Sequence, residues 1–297
     1  MTTQRARPYL GTLVEIGARG AGADAAVESA FAAVARVHQL MSVHEADSEL
    51  SRVNRTAAHT PVAVSTDLWV VLKAAQALAQ ASDGLFDISV GARLAALGLL
   101  PEHAELSRAN HGNWRDLQLL PGRRVAFARP LYLDLGGIAK GYAVDLALQG
   151  LRDAGMSEAW VNAGGDLARF GTTQATLQVR HPADPTRLLP LLSWRAGAAA
   201  TSAGYYAPHL DGGPLSPLID PRTGRPHALD RSITVIAGTA LLADALTKIV
   251  ALDPARASAL LAAHDARALI LESRPDGSVA VFDSAARAPT RAQACHV

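Results

Sequence analysis

A chain of 297 residues is long enough for one large domain or two modest ones. Its 49% hydrophobic and 19% charged residues match a globular protein, and 28 Lys and Arg against 27 Asp and Glu leave no global field to draw nucleic acid or an anionic membrane, so any anionic ligand must be held by local groups. The single cysteine, Cys295, excludes an internal disulfide framework and a cysteine zinc cluster.

The N-terminal run MTTQRARPYLGTLVEIG carries charge but no apolar h-region and no lipobox cysteine. Nowhere do about 18 apolar residues run together. The expectation is a cytoplasmic chain without a membrane span, or a periplasmic one if a leader has been removed. Residues 9–16 read as a first strand, broken by Gly20 and Gly22. Val27, Phe31, Val34 and Met41 recur at close to helical spacing, which predicts a helix over 24–41. Met41-Ser42-Val43-His44 reads as its end, and residues 47–54 as a second capped start. Ser65 supplies an N-cap for a helix over 66–82, which Gly84 stops. Phe86-Asp87 follows that stop. The pair can stack on a ring and accept a hydrogen bond, but taken alone it is a weak signal and core packing of Phe86 is the stronger reading.

Residues 131–135 (LYLDL) are strand-like, and a helix is predicted from about Ala139 to Asp153, with Gly155 as its stop. A short strand over 159–163 enters Gly164-Gly165-Asp166. Strands over 175–180 and 190–194 belong to a second region, and the Pro-rich stretch 182–190 between them is a surface loop or a boundary. Residues 201–205 (TSAGY) form a loop where backbone can approach a ligand. Asp220-Pro221 with Gly224 marks a turn. A β-branched strand over 232–237, a helix over 240–252 and a helix opened by Pro254 follow. Strands over 268–271 and 278–282 close the chain around a turn at Asp276-Gly277. Strict βαβ alternation is missing, so the fold class is α+β, with mixed sheets flanked by helices. A single domain over 1–297 is expected, with any division into two lobes falling near 182–190.

Two segments carry chemistry on their own. In LDLGGIAKGYAVD (133–145), glycines at a turn let backbone approach a ligand, and a helix start offers free N–H groups and a positive dipole end that suit phosphate. Lys140 adds a point charge there. The GlyLys[Ser/Thr] ending of a Walker A loop is absent, and a tight turn with a solvated lysine is an equal reading. In the helix over 240–252, Asp244 lies among small apolar residues, where a carboxylate is usually paired or metal-bound. Thr247 and Lys248 follow at i+3 and i+4, so on the segment alone a simple Asp–Lys helix pair is the stronger reading.

Taken together, the segments resemble the FAD:protein FMN transferase (ApbE) family. The resemblance rests on Met41-Ser42, DSELSRVN (47–54), FDISVG (86–91), LDLGGIAKGYAVD (133–145), the GlyGlyAsp loop (164–166), ThrSerAla (201–203), LIDPRTG (218–224) and ADAL (243–246), in order, across about residues 8–272. It implies a magnesium-dependent reaction on FAD. The pyrophosphate is cleaved, FMN is joined by a phosphoester bond to Thr or Ser of a flavin-acceptor protein, and AMP leaves. It further implies FAD contacts at Met41, Ser42, Leu85, Phe86, Asp87, Asp134, Lys140 and Leu218. Magnesium is expected on the Gly137 carbonyl and the Asp244 carboxylate. Three positions depart from the family: Ala203 ends the T-S-G motif, Pro217 replaces a histidine, and Lys248 replaces a hydroxyl residue. An ammonium cannot bind a cation, so either Lys248 stands in for the metal or Thr247 supplies the oxygen. His209 is the candidate to replace the histidine. Asp244, Lys248 and His209 are thus the catalytic candidates. A non-transferring FAD-binding homologue (a carrier or regulatory module) and an FAD pyrophosphatase are the alternative functions.

Overall fold

The computed structural model describes residues 1–102, 106, 112–204 and 217–285, and the backbone alone of 209–210 and 213–214. Cys295, Tyr205 and the His209 side chain lie outside the described residues. No helix among those described is long and apolar enough to cross a membrane.

The centre is an eight-stranded sheet in the order Thr2–Tyr9, Thr12–Arg19, Glu158–Ala163, Asp166–Phe170, Gly197–Ser202, Ser232–Ala237, Arg267–Ser273, Val279–Asp283. Every neighbouring pair is antiparallel. Side chains alternate across it with the period of two that strands impose. Ala200, Val235 and Ala268 face one hydrophobic core. Ala199, Ile236 and Leu269 face the opposite side, where the hairpin Ala175–His181/Asp184–Trp194 covers them with Leu177, Val179 and Trp194.

Seven α-helices lie among the described residues: α1 (Ala23–Met41), α2 (Glu49–Thr56), α3 (Thr66–Ala81), α4 (Gly91–Ala96), α5 (Ala139–Asp153), α6 (Ala240–Leu252) and α7 (Pro254–Ala263). Helix α5 packs between α1 and α6, and these three lie against the sheet. Side-chain caps at Ser48, Ser65, Thr239 and Asp253 satisfy N–H groups of the first turns of α2, α3, α6 and α7. A second, three-stranded sheet (Val62–Ala63, Arg124–Phe127, Leu117–Leu120) joins the core formed with α2 and α3.

Three sequence expectations are corrected. Residues 9–16 are not one strand but the middle of a hairpin, because Leu10 and Gly11 both take positive φ (56° and 71°), as a two-residue primed turn requires. Much of 182–190 is a strand rather than a loop. Its ladder shifts register between Leu177 and Gln178, opposite Pro190, which has no N–H to give. Residues 131–135 are extended but join no sheet, with a single bridge between Val90 and Tyr132.

The 131–135 segment is held by a side chain on one edge and by residues 88–91 on the other. The Asn54 amide donates to the Leu133 carbonyl at 2.9 Å and accepts from the Leu133 N–H at 2.8 Å, while the Asp134 N–H reaches the Ile88 carbonyl at 2.8 Å. Asn54 is buried, so it does the work of a neighbouring strand. Asn54→Ala is therefore expected to lower stability by about 2–5 kcal/mol, since two buried main-chain groups lose this partner. Urea unfolding measures it, and a loss below about 1 kcal/mol would show that water replaces the amide.

Candidate functional site

The site is built where α5 meets α6. Gly141 has no side chain because there is no room for one: a Cβ would lie 2.2 Å from the Ala240 carbonyl oxygen. One turn later Asp145 accepts the Ala240 and Leu241 N–H groups at 2.7 and 2.9 Å, so α5 caps the first turn of α6 from outside. Burial pushes the Asp145 carboxyl up to about 6 despite these two donors. The Tyr142 hydroxyl donates to Asp67 of α3 at 2.6 Å, fixing the other flank of α5. The Gly141-Tyr142-x-x-Asp145 segment thereby locks α6 in place and sets Asp244 opposite Lys140.

Asp244 is fully buried. Its Oδ1 accepts from Lys248 Nζ, and its Oδ2 accepts from the Gly141 N–H at 3.3 Å and lies 3.6 Å from Lys140 Nζ. Lys140 also pairs with Asp166 Oδ2 at 3.1 Å and donates to the Gly136 carbonyl at 3.0 Å. Burial alone would raise the Asp244 pKa, but the two ammonium groups outweigh it and hold the carboxyl below its ordinary value. Burial likewise opposes the Lys140 charge, and Asp166 and Asp244 more than offset it, so the Lys140 pKa is raised. Asp166 is pushed up, first by burial and then by the nearby Asp244 carboxylate.

The Lys140 and Lys248 ammonium groups form part of the wall of a cavity of about 640 Å³, a size typical of ligand sites. Met41, Ser42, Leu85, Phe86, Asp87, Asp134, Gly137, Lys140, Leu218 and Lys248, all singled out from the sequence, line it together. Val37, Leu94, Leu99 and Leu100 extend its apolar wall. Gly137 is where apolar and charged walls meet, since a Cβ there would lie 3.7 Å from Phe86 Cε2 and 3.3 Å from Lys248 Cε. Asp134 lines the cavity with its carboxyl pushed up by burial, against the Gly136 N–H and Lys140, which favour its charge. The Asp87 carboxylate is committed within the protein. Its Oδ1 accepts from the Ser89 N–H and hydroxyl at 2.8 and 2.7 Å, and its Oδ2 from the Trp114 N–H at 3.1 Å.

Asp244 and Thr247 do not line the cavity but stand behind its wall, fully buried. The Thr247 hydroxyl donates to the Asp244 main-chain oxygen at 2.7 Å and lies 2.7 Å from the Ser202 hydroxyl, which therefore donates to it. Sequence reasoning assigned no role to Asp166, Asp145, Gly141 or Asn54. Asp166 had a signal in the two glycines before it, Gly164 and Gly165, which both take positive φ (65° and 103°).

The sequence profile of the ApbE family matches residues 10–270. The chain belongs to the ApbE family. It is 29% identical over 258 residues to an FAD:protein FMN transferase of Vibrio cholerae, covering 81% of this chain and 77% of that one. It is 30% identical over 242 residues to an FAD:protein FMN transferase of Escherichia coli K12, covering 74% and 68%. Among solved structures, the ApbE protein from Thermotoga maritima superposes with a TM-score of 0.79 at 27% identity, covering 94% of this chain and 96% of that one. The flavin transferase ApbE from Vibrio cholerae does so with 0.78 at 25%, covering 96% and 97%.

Against the ApbE pattern, the magnesium site fits this chain poorly. Magnesium needs free oxygen donors in an octahedral set. Here both Asp244 oxygens already face ammonium or N–H groups, the Thr247 hydroxyl is taken up by Ser202 and the helix backbone, and the Lys248 stem packs against Gly137. The other ApbE departure, Pro217, lines the cavity beside Leu218 without a proton-carrying group.

Proposed function

We propose that this chain is an FAD:protein FMN transferase with a single ApbE-like domain. The observation that carries the reading is the cavity itself, where the apolar surface of Met41, Leu85, Phe86 and Leu218 adjoins the paired ammonium groups of Lys140 and Lys248. An isoalloxazine ring needs the first and a pyrophosphate the second. In this reading Met41, Ser42, Leu85, Phe86 and Leu218 hold the flavin, Asp87 shapes the wall through Ser89 and Trp114, and Asp134 and Lys140 flank the pyrophosphate.

The reaction forms a bond between the hydroxyl oxygen of an acceptor Thr or Ser and the phosphorus on the FMN side. The bond from that phosphorus to the bridging oxygen breaks, AMP departs with the electron pair, and the hydroxyl proton is released to water. The contribution of the chain is positioning and electrostatics. Lys140 and Lys248 offset negative charge as it gathers on the departing phosphate, with Lys140 held in place by Asp166 and Asp244 and Lys248 by Asp244.

Incubation with FAD and a flavin-acceptor domain tests the reading. A fluorescent acceptor band in a denaturing gel, with AMP released in equal amount, is the expected result. Free FMN and AMP with an unlabelled acceptor would make the chain a pyrophosphatase, and bound FAD with neither product would make it a carrier.

A further inference from the structure

We propose that the Lys248 ammonium replaces a divalent cation at the pyrophosphate, so that this chain binds FAD without a metal. The inference rests on the FAD reading above and concerns how the same site balances phosphate charge.

The space a cation would take is occupied. Gly137 and Asp244 are the two positions from which the family resemblance implies metal ligation. Lys248 runs between them, with its stem against Gly137 and its Nζ on Asp244 Oδ1. The Nζ donates a second time to the Asp244 main-chain oxygen at 3.0 Å. An ammonium has three N–H donors, so one remains for a ligand oxygen. Lys248 lines the cavity and keeps 19% of its side chain exposed, whereas Asp244 behind it has none exposed. A phosphate entering the cavity therefore meets the lysine and not the carboxylate.

The charge balance points the same way. Asp244 is one carboxylate shared by two ammonium groups, Lys140 and Lys248, and Asp166 is a second carboxylate on Lys140. A divalent ion added here would stand beside two like charges and would have to expel Lys248 from Oδ1. The geometry also explains why Lys248 is stable at this depth. It lies one helical turn after Asp244, where i and i+4 side chains meet, so the pair forms within α6 whether or not ligand is bound.

The test measures FAD binding to the full chain by flavin fluorescence, in EDTA and then with Mg²⁺ added. The expected result is a Kd that changes by less than about twofold between the two conditions. Binding that appears only with Mg²⁺, or that weakens about tenfold or more in EDTA, would overturn the proposal while leaving the FAD reading intact. Absence of FAD binding in both conditions would overturn both. Lys248→Thr is expected to weaken binding about tenfold or more in EDTA and to recover it with Mg²⁺. Lys248→Met is expected to weaken it in both conditions. Wild-type affinity of Lys248→Thr in EDTA would also overturn the proposal. Melting curves establish that the variants are folded, and the wild-type comparison stands without them.

Discussion

Asp244→Ala is expected to lower folding stability by about 3–5 kcal/mol, the range for removing one member of a buried charge set. Asp244 is wholly buried and faces Lys140 at 3.6 Å and Lys248 through its other oxygen. Without it, Asp166 is left as the close carboxylate for two ammonium groups, and Lys248 loses its side-chain acceptor. The Gly141 N–H also loses its acceptor, which loosens the seam between α5 and α6. Urea unfolding gives the number. The cause is separable from simple loss of volume. The double variant Asp244→Ala/Lys248→Met removes the stranded charge and is expected to regain part of the stability. If the double variant is as unstable as the sum of its parts, the loss comes from packing and not from charge. A loss below about 1 kcal/mol for Asp244→Ala would mean that the lysines are solvated as readily as surface groups.

Gly141→Ala is the second large effect. Alanine is the better helix former by about 1 kcal/mol, so propensity alone predicts stabilisation. The structure predicts the opposite sign. The new methyl group would stand 2.2 Å from the Ala240 oxygen, 2.5 Å from its carbon and 2.6 Å from the Leu241 nitrogen, and all three are backbone atoms that cannot rotate away. Helices α5 and α6 must part, at a cost at or above the upper end of the roughly 1–3 kcal/mol typical of overpacking. Their separation also lengthens the Lys140–Asp244 and Asp145–α6 contacts, so FAD affinity is expected to fall together with the melting temperature. Gly150 provides the control within the same helix, since a Cβ there meets nothing within 4 Å. Gly150→Ala is expected to be neutral or stabilising by up to about 1 kcal/mol. Equal behaviour of the two variants would show that the α5–α6 contact has slack.

Most helices were legible because their signals are local, while α4 was not read from the sequence because its six residues are too few to show a helical period. Periodic apolar positions with a glycine stop give α5 its limits at Ala139 and Asp153, and Ser65 caps α3 where the sequence places it. What escaped depends on partners far along the chain. LYLDL has the composition of a strand, and only the fold reveals that the Asn54 side chain satisfies Leu133 while the backbone of Ile88 and Gly91 satisfies Asp134 and Tyr132. The turn at Leu10-Gly11 was hidden because leucine rarely takes positive φ. Of the charged cluster, Lys140, Asp244 and Lys248 could be named from motif and helical spacing. Asp166 joins them from a strand of the sheet, and Gly141 and Asp145 owe their roles to the backbone of a helix about a hundred residues downstream. Spacing within a segment does not encode such contacts.

The Asp244–Lys248 pair lies within one turn of one helix, and no other element has to move for it to exist. A flavin site that carries its own cation would be indifferent to the magnesium supply of its surroundings and to chelators in them. Output would then be set by the supply of FAD and acceptor. Because the difference resides in one side chain, a single codon change would be enough to move such a site between the two regimes, with the sheet, the cavity and the α5–α6 seam unchanged.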